Sequence, residues 1–288
     1  MICDGILIVD KPKGMTSHDV VNIIRKIFHT KKIGHTGTLD PDATGVLVLG
    51  INQGTKLIQY LVSDDKEYEA VLSFGADTDT QDATGEIITE KPLPRISREE
   101  FGEVLLSFIG EQEQIPPMYS AIKVNGQPLY KYARKGEAVE KISSRCITVH
   151  RLNMIDFNNR QARIFVHCSK GTYIRTLCQD IAHRCDSCGH MTELHRLRAG
   201  SFSIDRAHTI DEMRAAEDPY LLLIPMNEAL ELPFVEVKDA QAEDIANGER
   251  IDIQGVLFSG NAKAVYQDKL LAIGVIENQC FVPKRVFH

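Results

Sequence analysis

The sequence predicts a mixed α+β protein, organised as one large domain followed by a small β-rich module. Three observations carry that reading. Apolar runs of period two are interspersed with amphipathic stretches of helical period through residues 1–232. Around residues 230–233 the pattern changes to short alternating segments separated by turn residues. The 288-residue length exceeds one typical domain, and 43% hydrophobic with 25% charged residues suffices for a sizeable core.

Taken in order, GILIVDKPKG reads as an apolar strand ended by a Lys-Pro-Lys-Gly turn. TSHDVVNIIRKIF follows as an amphipathic helix, with Thr16 or Ser17 as its cap and Val20, Ile23, Ile24 and Ile27 on one face. GVLVLG is a buried strand, TKLIQYLV a helix, and EYEAVLSFG a strand alternating at period two. TDTQDATGE is a polar turn, and Ser97 with Glu100 forms a capping box for a helix through Ile109. Pro128 and Gly136 bracket a short helix. Strands are expected at 146–157 and 161–169, a helix at 173–185, strand-like segments near 191–204, and a helix capped by Thr209 and Glu212. Beyond residue 233, VEVKDAQAEDIANGERI gives a strand end and a helix closed by Gly248. AKAVYQD, KLLAIGVIE and CFVPKRVF then complete a compact module, expected to be a small barrel.

Composition narrows the function classes. No apolar run approaches the length of a membrane span. The first residues, MICDGILIVDKPKG, lack the basic region and apolar core of a secretion signal, so a cytoplasmic protein is expected. Seven cysteines, an odd number without regular pairing, suit free thiols in a reducing compartment. The net charge of −7 argues against a generic polyanion binder, yet the charge is segregated. Residues 20–39 hold four Lys/Arg and no acid, residues 120–151 seven Lys/Arg against two acids, and residues 160–206 eight against four. Such a distribution attracts phosphates on one face while acid elsewhere maintains solubility.

The most constrained stretch is GHTGTLDPDATGVL, residues 34–47, which sets Asp40 among glycines, threonines and a proline. The carboxylate there could cap the turn, with Gly34, Gly37 and Gly45 supplying unusual backbone angles. A phosphate cradle lacks its Walker lysine, and Asp40, Asp42 and His35 match no familiar metal-ligand ladder. Capping the turn and covalent or proton-transfer chemistry on a substrate both remain open from these residues alone.

This stretch resembles the catalytic motif of the TruB family of tRNA pseudouridine synthases, and the resemblance continues in order along nearly the whole chain. DGILIVDKPKGMTSHDVV is similar to the family's Lys-Pro motif, and KEYEAVLSFGADTDTQDATGEI to its tyrosine strand and acidic turn. PPMYSAIKVNGQPLYKYARKG resembles its RNA-gripping insertion, SKGTYIRTL its arginine motif, and the tail its small RNA-binding PUA module. The implied architecture is a mixed, antiparallel-sheet catalytic domain over residues 1–232, with an insertion at about 116–151, and a PUA-like module over 233–288. The implied reaction breaks the N1–C1′ bond of a uridine already in RNA and makes C5–C1′, at position 55 in the T arm of tRNA. It needs no cofactor and no metal.

The resemblance also assigns roles. Asp40 is the essential carboxylate, by sugar attack, base addition or a glycal route. Arg175 is the guanidinium that keeps it ionised. Tyr68 is expected to stack on the target base and is a candidate to help remove the C5 proton, and Leu194 packs under the base. An internal uridine must leave its stack to be reached, and His35 fills the vacated space. Lys56 is expected near the cleft, in contact with phosphate. Tyr130, Lys131, Tyr132, Arg134 and Lys135 combine stacking rings with charge on the short helix of the insertion.

Cys185, Cys188 and His190 could form half of a zinc site, but no second pair stands at standard spacing, so free thiols are expected and no metal is assigned. The partner expected is tRNA alone, with no membrane, no obligate protein partner and a monomeric state. A guide-RNA-dependent synthase and a non-catalytic tRNA-folding factor are the rival readings. The basic insertion and the absence of long basic tails favour the stand-alone enzyme.

Overall fold

In the computed structural model, which describes residues 4–62, 65–137, 139, 142–253, 255 and 258–287, the two most apolar strands pair first. Gly5–Lys11 runs antiparallel to Thr44–Ile51, with Gly5 opposite Ile51 and Lys11 opposite Gly45. Both are apolar at nearly every position because both faces are covered. Leu7, Val9, Leu47 and Leu49 pack under the helix Ser17–Ile27. Ile6, Ile8, Val46 and Val48 face the other way.

These strands belong to a nine-stranded mixed sheet. From its N-terminal edge the order is Gly5–Lys11, Thr44–Ile51, Gly189–Ala199, Lys66–Phe74, Gln161–Cys168, Arg145–Asn158 and Gly110–Gln114; Ile33–His35 and Phe202–Ser203 pair at the side. Thr44–Ile51 against Gly189–Ala199 is a parallel contact, made at His195–Thr44 and Arg196–Gly45; the other pairs are antiparallel. The helices Arg98–Leu106 and Ile174–Arg184 cover the far half of the sheet, over a core that includes Leu72, Phe101, Ile164, Val166, Leu177 and Ile181. That sheet and its helices give the expected α+β class.

Most boundaries follow the local signals. Thr16, Ser97 and Thr209 each cap a helix with the full reciprocal box. Two segments differ. The helix expected over residues 55–62 is a 3-10 segment, Asn52–Leu57, before a single α turn, Ile58–Leu61. The helix expected through Ile109 stops at Leu106, where the Ser107 hydroxyl donates back to the Val104 carbonyl (2.7 Å) and Gly110 takes a φ of +112°.

The C-terminal residues form a separate five-stranded sheet, in the order Phe234–Glu236, Gly260–Tyr266, Lys269–Glu277, Cys280–Val286 and Ile251–Asp252. The barrel expected there is not closed among the described residues: the order is an open path, and the helix Asp239–Ala246 covers its apolar face through Ala242 and Ile245. Residues 254, 256, 257 and 288 of this module, and 138, 140 and 141 of the insertion, lie outside the described residues. Leu270, Ile273 and Phe287 pack into one cluster with Ile6, Ile8, Val46 and Leu57. Burying each contributes roughly 1.5–3 kcal/mol, so the module is docked on the large sheet rather than tethered to it. No helix among the described residues is long and apolar enough to cross a membrane.

Candidate active site

Asp40 sits in the loop between Ile33–His35 and Thr44–Ile51, and that loop is held from several sides. The Ser17 hydroxyl donates to the Leu39 carbonyl (3.0 Å) and accepts from the Leu39 amide (2.9 Å). The Gly14 amide donates to Pro41 O (2.9 Å). Lys11, wholly buried, donates from Nζ to the carbonyls of Pro12 (2.9 Å), Met15 (2.6 Å) and Pro41 (2.9 Å). The Lys-Pro-Lys-Gly turn thus becomes a clamp on the residue after Asp40. Burial pulls the Lys11 ammonium down to about 8, against the opposing pull of Asp42 and Asp40. Lys11→Met leaves three carbonyls without their donor. The expected cost is on the order of 3 kcal/mol in urea unfolding, with a smaller loss, about tenfold, in single-turnover rate from the loosened loop.

Opposite the loop stands Arg175, in the first turn of Ile174–Arg184 and almost fully enclosed. Its Nε lies 3.1 Å from Asp40 Oδ2. Nη1 donates to Thr80 O (3.0 Å) and reaches Asp82 Oδ2 at 3.5 Å, and Nη2 donates to Tyr119 O (2.9 Å). The guanidinium therefore joins four segments: the Asp40 loop, its own helix, the acidic turn and the base of the insertion. Asp40, Asp42, Ala43, Asp82, Thr84 and Leu194 line the cleft beside it.

The arginine is in place and opposes the effect of burial, which is the larger influence. Asp40 keeps 41% side-chain exposure towards the cleft yet is set deep among protein atoms, and this burial pushes its carboxyl above the ordinary carboxylate value. Arg175 opposes the rise, Asp82 adds to it, and Lys11 opposes it. Burial outweighs the cation, and the second acid on the same guanidinium adds to the rise.

Tyr68 is buried on the Lys66–Phe74 strand, opposite Arg196. Burial raises its phenol, Arg196 lowers it by charge and by donating a hydrogen bond, and the charge of Asp40 raises it. The ring is thus held as the neutral phenol, which suits a stacking surface better than a phenolate base. Leu194, opposite Ala70, lines the cleft and packs against both large core clusters. His35 is half-buried; burial and the Arg196 charge lower it, with a Gly37 backbone contact opposing, and its Nδ1 is buried without a partner.

Lys56 is not where the sequence reading puts it. It follows Thr44–Ile51 at the end away from Asp40, about 20 Å along the strand. Its Nζ donates to Val286 O (3.4 Å) and lies 5.6 Å from the centre of the Phe287 ring. It ties the docked C-terminal module to the large sheet. In the insertion, Lys131, Arg134 and Lys135 are exposed on and after the helix Leu129–Ala133. Tyr130 is half-buried, with Arg134 over its ring at 5.6 Å, and Lys135 is 3.5 Å from Glu137. Tyr132, half-buried, donates its hydroxyl to Val124 O (3.2 Å), which braces the helix.

Three residues were missed by the sequence reading. Asp82 is caged: its Oδ1 accepts from the Thr80 hydroxyl (2.7 Å), the Thr84 hydroxyl (2.6 Å) and the Thr84 amide (3.0 Å). Gly85 closes this turn because a Cβ there would come within 2.3 Å of Asp79 Oδ1. Arg196, 3% exposed, donates to Val46 O (2.6 Å) and Gly37 O (3.4 Å) and acts on His35 and Tyr68 together. Gly45, at φ +95°, lets the Arg196 backbone approach where a Cβ would lie 2.3 Å from its carbonyl oxygen. Lys11 is the third.

Asp40 and the buried Arg175 thus stand together at a cleft on the mixed sheet. A chain in a solved H/ACA RNP bound to a substrate RNA containing 2′-deoxyuridine superposes with a TM-score of 0.73 at 24% identity, covering 99% of this chain and 85% of that one. A chain of a Cbf5–Nop10–Gar1 complex gives 0.72 at 25% identity, with the same coverages. Residues 25–174 match the N-terminal domain of the TruB family pseudouridylate synthases, and residues 175–231 match the tRNA pseudouridylate synthase B C-terminal domain. The tRNA pseudouridine synthase B of Caldanaerobacter subterraneus subsp. tengcongensis is 42% identical over all of both chains. That of Alkaliphilus oremlandii is 42% identical over 96% of this chain and 94% of its own. The chain belongs to the TruB family.

Proposed function

We propose that this protein isomerises uridine to pseudouridine at position 55 in the T arm of tRNA, as a cytoplasmic monomer without cofactor, guide RNA or protein partner. The observation that carries the reading is the Asp40–Arg175 pair at the mouth of a cleft lined by Leu194 and Asp82, in a chain about 40% identical over its full length to curated tRNA synthases. The guide-dependent complexes are more distant, at 24–25% identity.

Sugar attack, base addition and the glycal route all begin from an ionised Asp40, and all need the uridine everted from its stack. The raised Asp40 carboxyl shifts the expected onset of activity to higher pH than an ordinary aspartate would give. Tyr68 supplies the stacking surface, Leu194 the apolar floor, and His35, held uncharged by burial, occupies the space the base leaves. Lys131, Arg134 and Lys135 meet phosphates as the insertion closes over the stem-loop. Residues 1–232 act as the catalytic unit and 233–288 as an RNA-binding module.

The test incubates an unmodified tRNA transcript with the purified protein alone and maps pseudouridine by carbodiimide-stop sequencing. One stop in the T arm, at position 55, is the expected result. No stop, or one that requires an added guide RNA or protein, overturns the proposal.

A further inference from the structure

Away from the cleft, three ligand-type side chains from three separate segments converge. Asp77 lies on the short strand Ala76–Thr78, His183 in the last turn of Ile174–Arg184, and Cys188 immediately before Gly189–Ala199. The carboxylate oxygen, His183 Nε2 and Cys188 Sγ all lie within 4.8 Å of one another. His183 Nε2 is 2.8 Å from Asp77 Oδ2, while Asp77 Oδ1 accepts the Gly189 amide at 2.8 Å. Asp77 and Cys188 are buried, whereas the His183 side chain is 46% exposed.

We propose that Asp77, His183 and Cys188 form a zinc site with one position open to water. The donor set is one oxygen, one imidazole nitrogen and one sulfur, which suits a borderline-soft, four-coordinate divalent ion. Metal–ligand bonds near 2.0–2.3 Å set tetrahedral ligand atoms roughly 3.2–3.8 Å apart. His183, at the surface, has the freedom to swing outward to that spacing, while the backbone amide of Gly189 already orients the carboxylate from the outer shell. On uptake the Cys188 thiol gives its proton to solvent and binds as thiolate.

The sequence reading assigns no metal and weighed a different trio, Cys185, Cys188 and His190. The structure separates that trio. Cys185 belongs to the apolar core, and His190 Nδ1 is 2.7 Å from Ala76 O. The convergent set needs Asp77, more than a hundred residues away, which no spacing rule would find.

The position gives the site a purpose. Its three ligands come from the helix that carries Arg175, the ribbon whose turn carries Asp82, and the strand that carries Leu194. A bound ion staples together the three elements that frame the cleft.

The experiment uses the full chain, stripped with chelator and titrated with Co2+ and then Zn2+. One equivalent of cobalt is expected to give a sulfur-to-cobalt charge-transfer band and the strong visible bands of a four-coordinate site, with zinc displacing it and raising Tm. Cys188→Ser abolishes the charge-transfer band. His183→Ala, at a half-exposed position, weakens zinc binding by at least about 100-fold and removes the Tm gain. A second grouping, Asp65, His150 and His167, is a surface competitor with no sulfur. Cobalt spectra without a sulfur band, or zinc binding that survives His183→Ala and is lost in His150→Ala, overturns the proposal.

Discussion

Asp40→Asn is expected to lower the single-turnover rate of pseudouridine formation by at least about 10⁴-fold while leaving tRNA affinity within about threefold. The amide has the size of the carboxylate but neither the charge nor the basicity that each candidate route begins from. The contacts proposed to hold RNA lie elsewhere, on the exposed cations of the insertion. Arg175 keeps three other acceptors, Thr80 O, Tyr119 O and Asp82, so the variant retains its guanidinium in place. Gel-shift affinity and rapid-quench kinetics on the same preparation separate binding from chemistry. Product at the wild-type rate would remove Asp40 from the mechanism.

Arg175→Met is expected to lower the rate by about 10²–10³-fold at neutral pH, in proportion to the loss of one preorganised charged donor. The pH profile carries the sharper information. Asp40 acts when ionised, so its rate limb falls as pH drops through its pKa. Burial has already raised that pKa, and Arg175 is the main opposing influence. Removing the guanidinium raises it further, and the acidic limb of the single-turnover rate moves to higher pH. Asp82→Asn does the reverse. It removes a neighbouring negative charge that raises Asp40, so its limb moves to lower pH even as the rate falls through the loosened arginine. Opposite displacements in the two variants are the signature of a shared cation. Displacement in the same direction would show that packing, not charge, is what Arg175 provides.

How much of this site could be read from the chain depended on whether a residue's role is local. Asp40 stood out locally as one carboxylate in a dense run of turn residues ahead of an apolar strand, but only the family resemblance gave it chemistry to do. Arg175, Tyr68 and Leu194 were legible through ordered motifs, and the structure brings Arg175 and Leu194 to the same cleft as Asp40. Asp82 was passed over as part of a polar turn, because its importance depends on that turn folding across a helix more than ninety residues later. Lys11 and Arg196 were missed because a lysine in a proline turn and an arginine in an alternating strand both read as solvent-facing. Each is instead buried and satisfied by backbone carbonyls. Lys56 was placed by motif alone, and the docked C-terminal residues that claim it could not be anticipated from local pattern. The open path of the second sheet follows the same logic, since closure depends on edge strands meeting rather than on the alternation within each.

Two of the arginine's donors end on peptide oxygens, those of Thr80 and Tyr119, which stay neutral at every pH. An anchor of that kind holds whether or not either acid has taken up a proton. When Asp40 changes charge during a turnover, the attraction across the pair weakens while the cation remains at its post. The enzyme therefore begins each cycle already assembled, with no side chain to retrieve from solvent before the next transcript arrives.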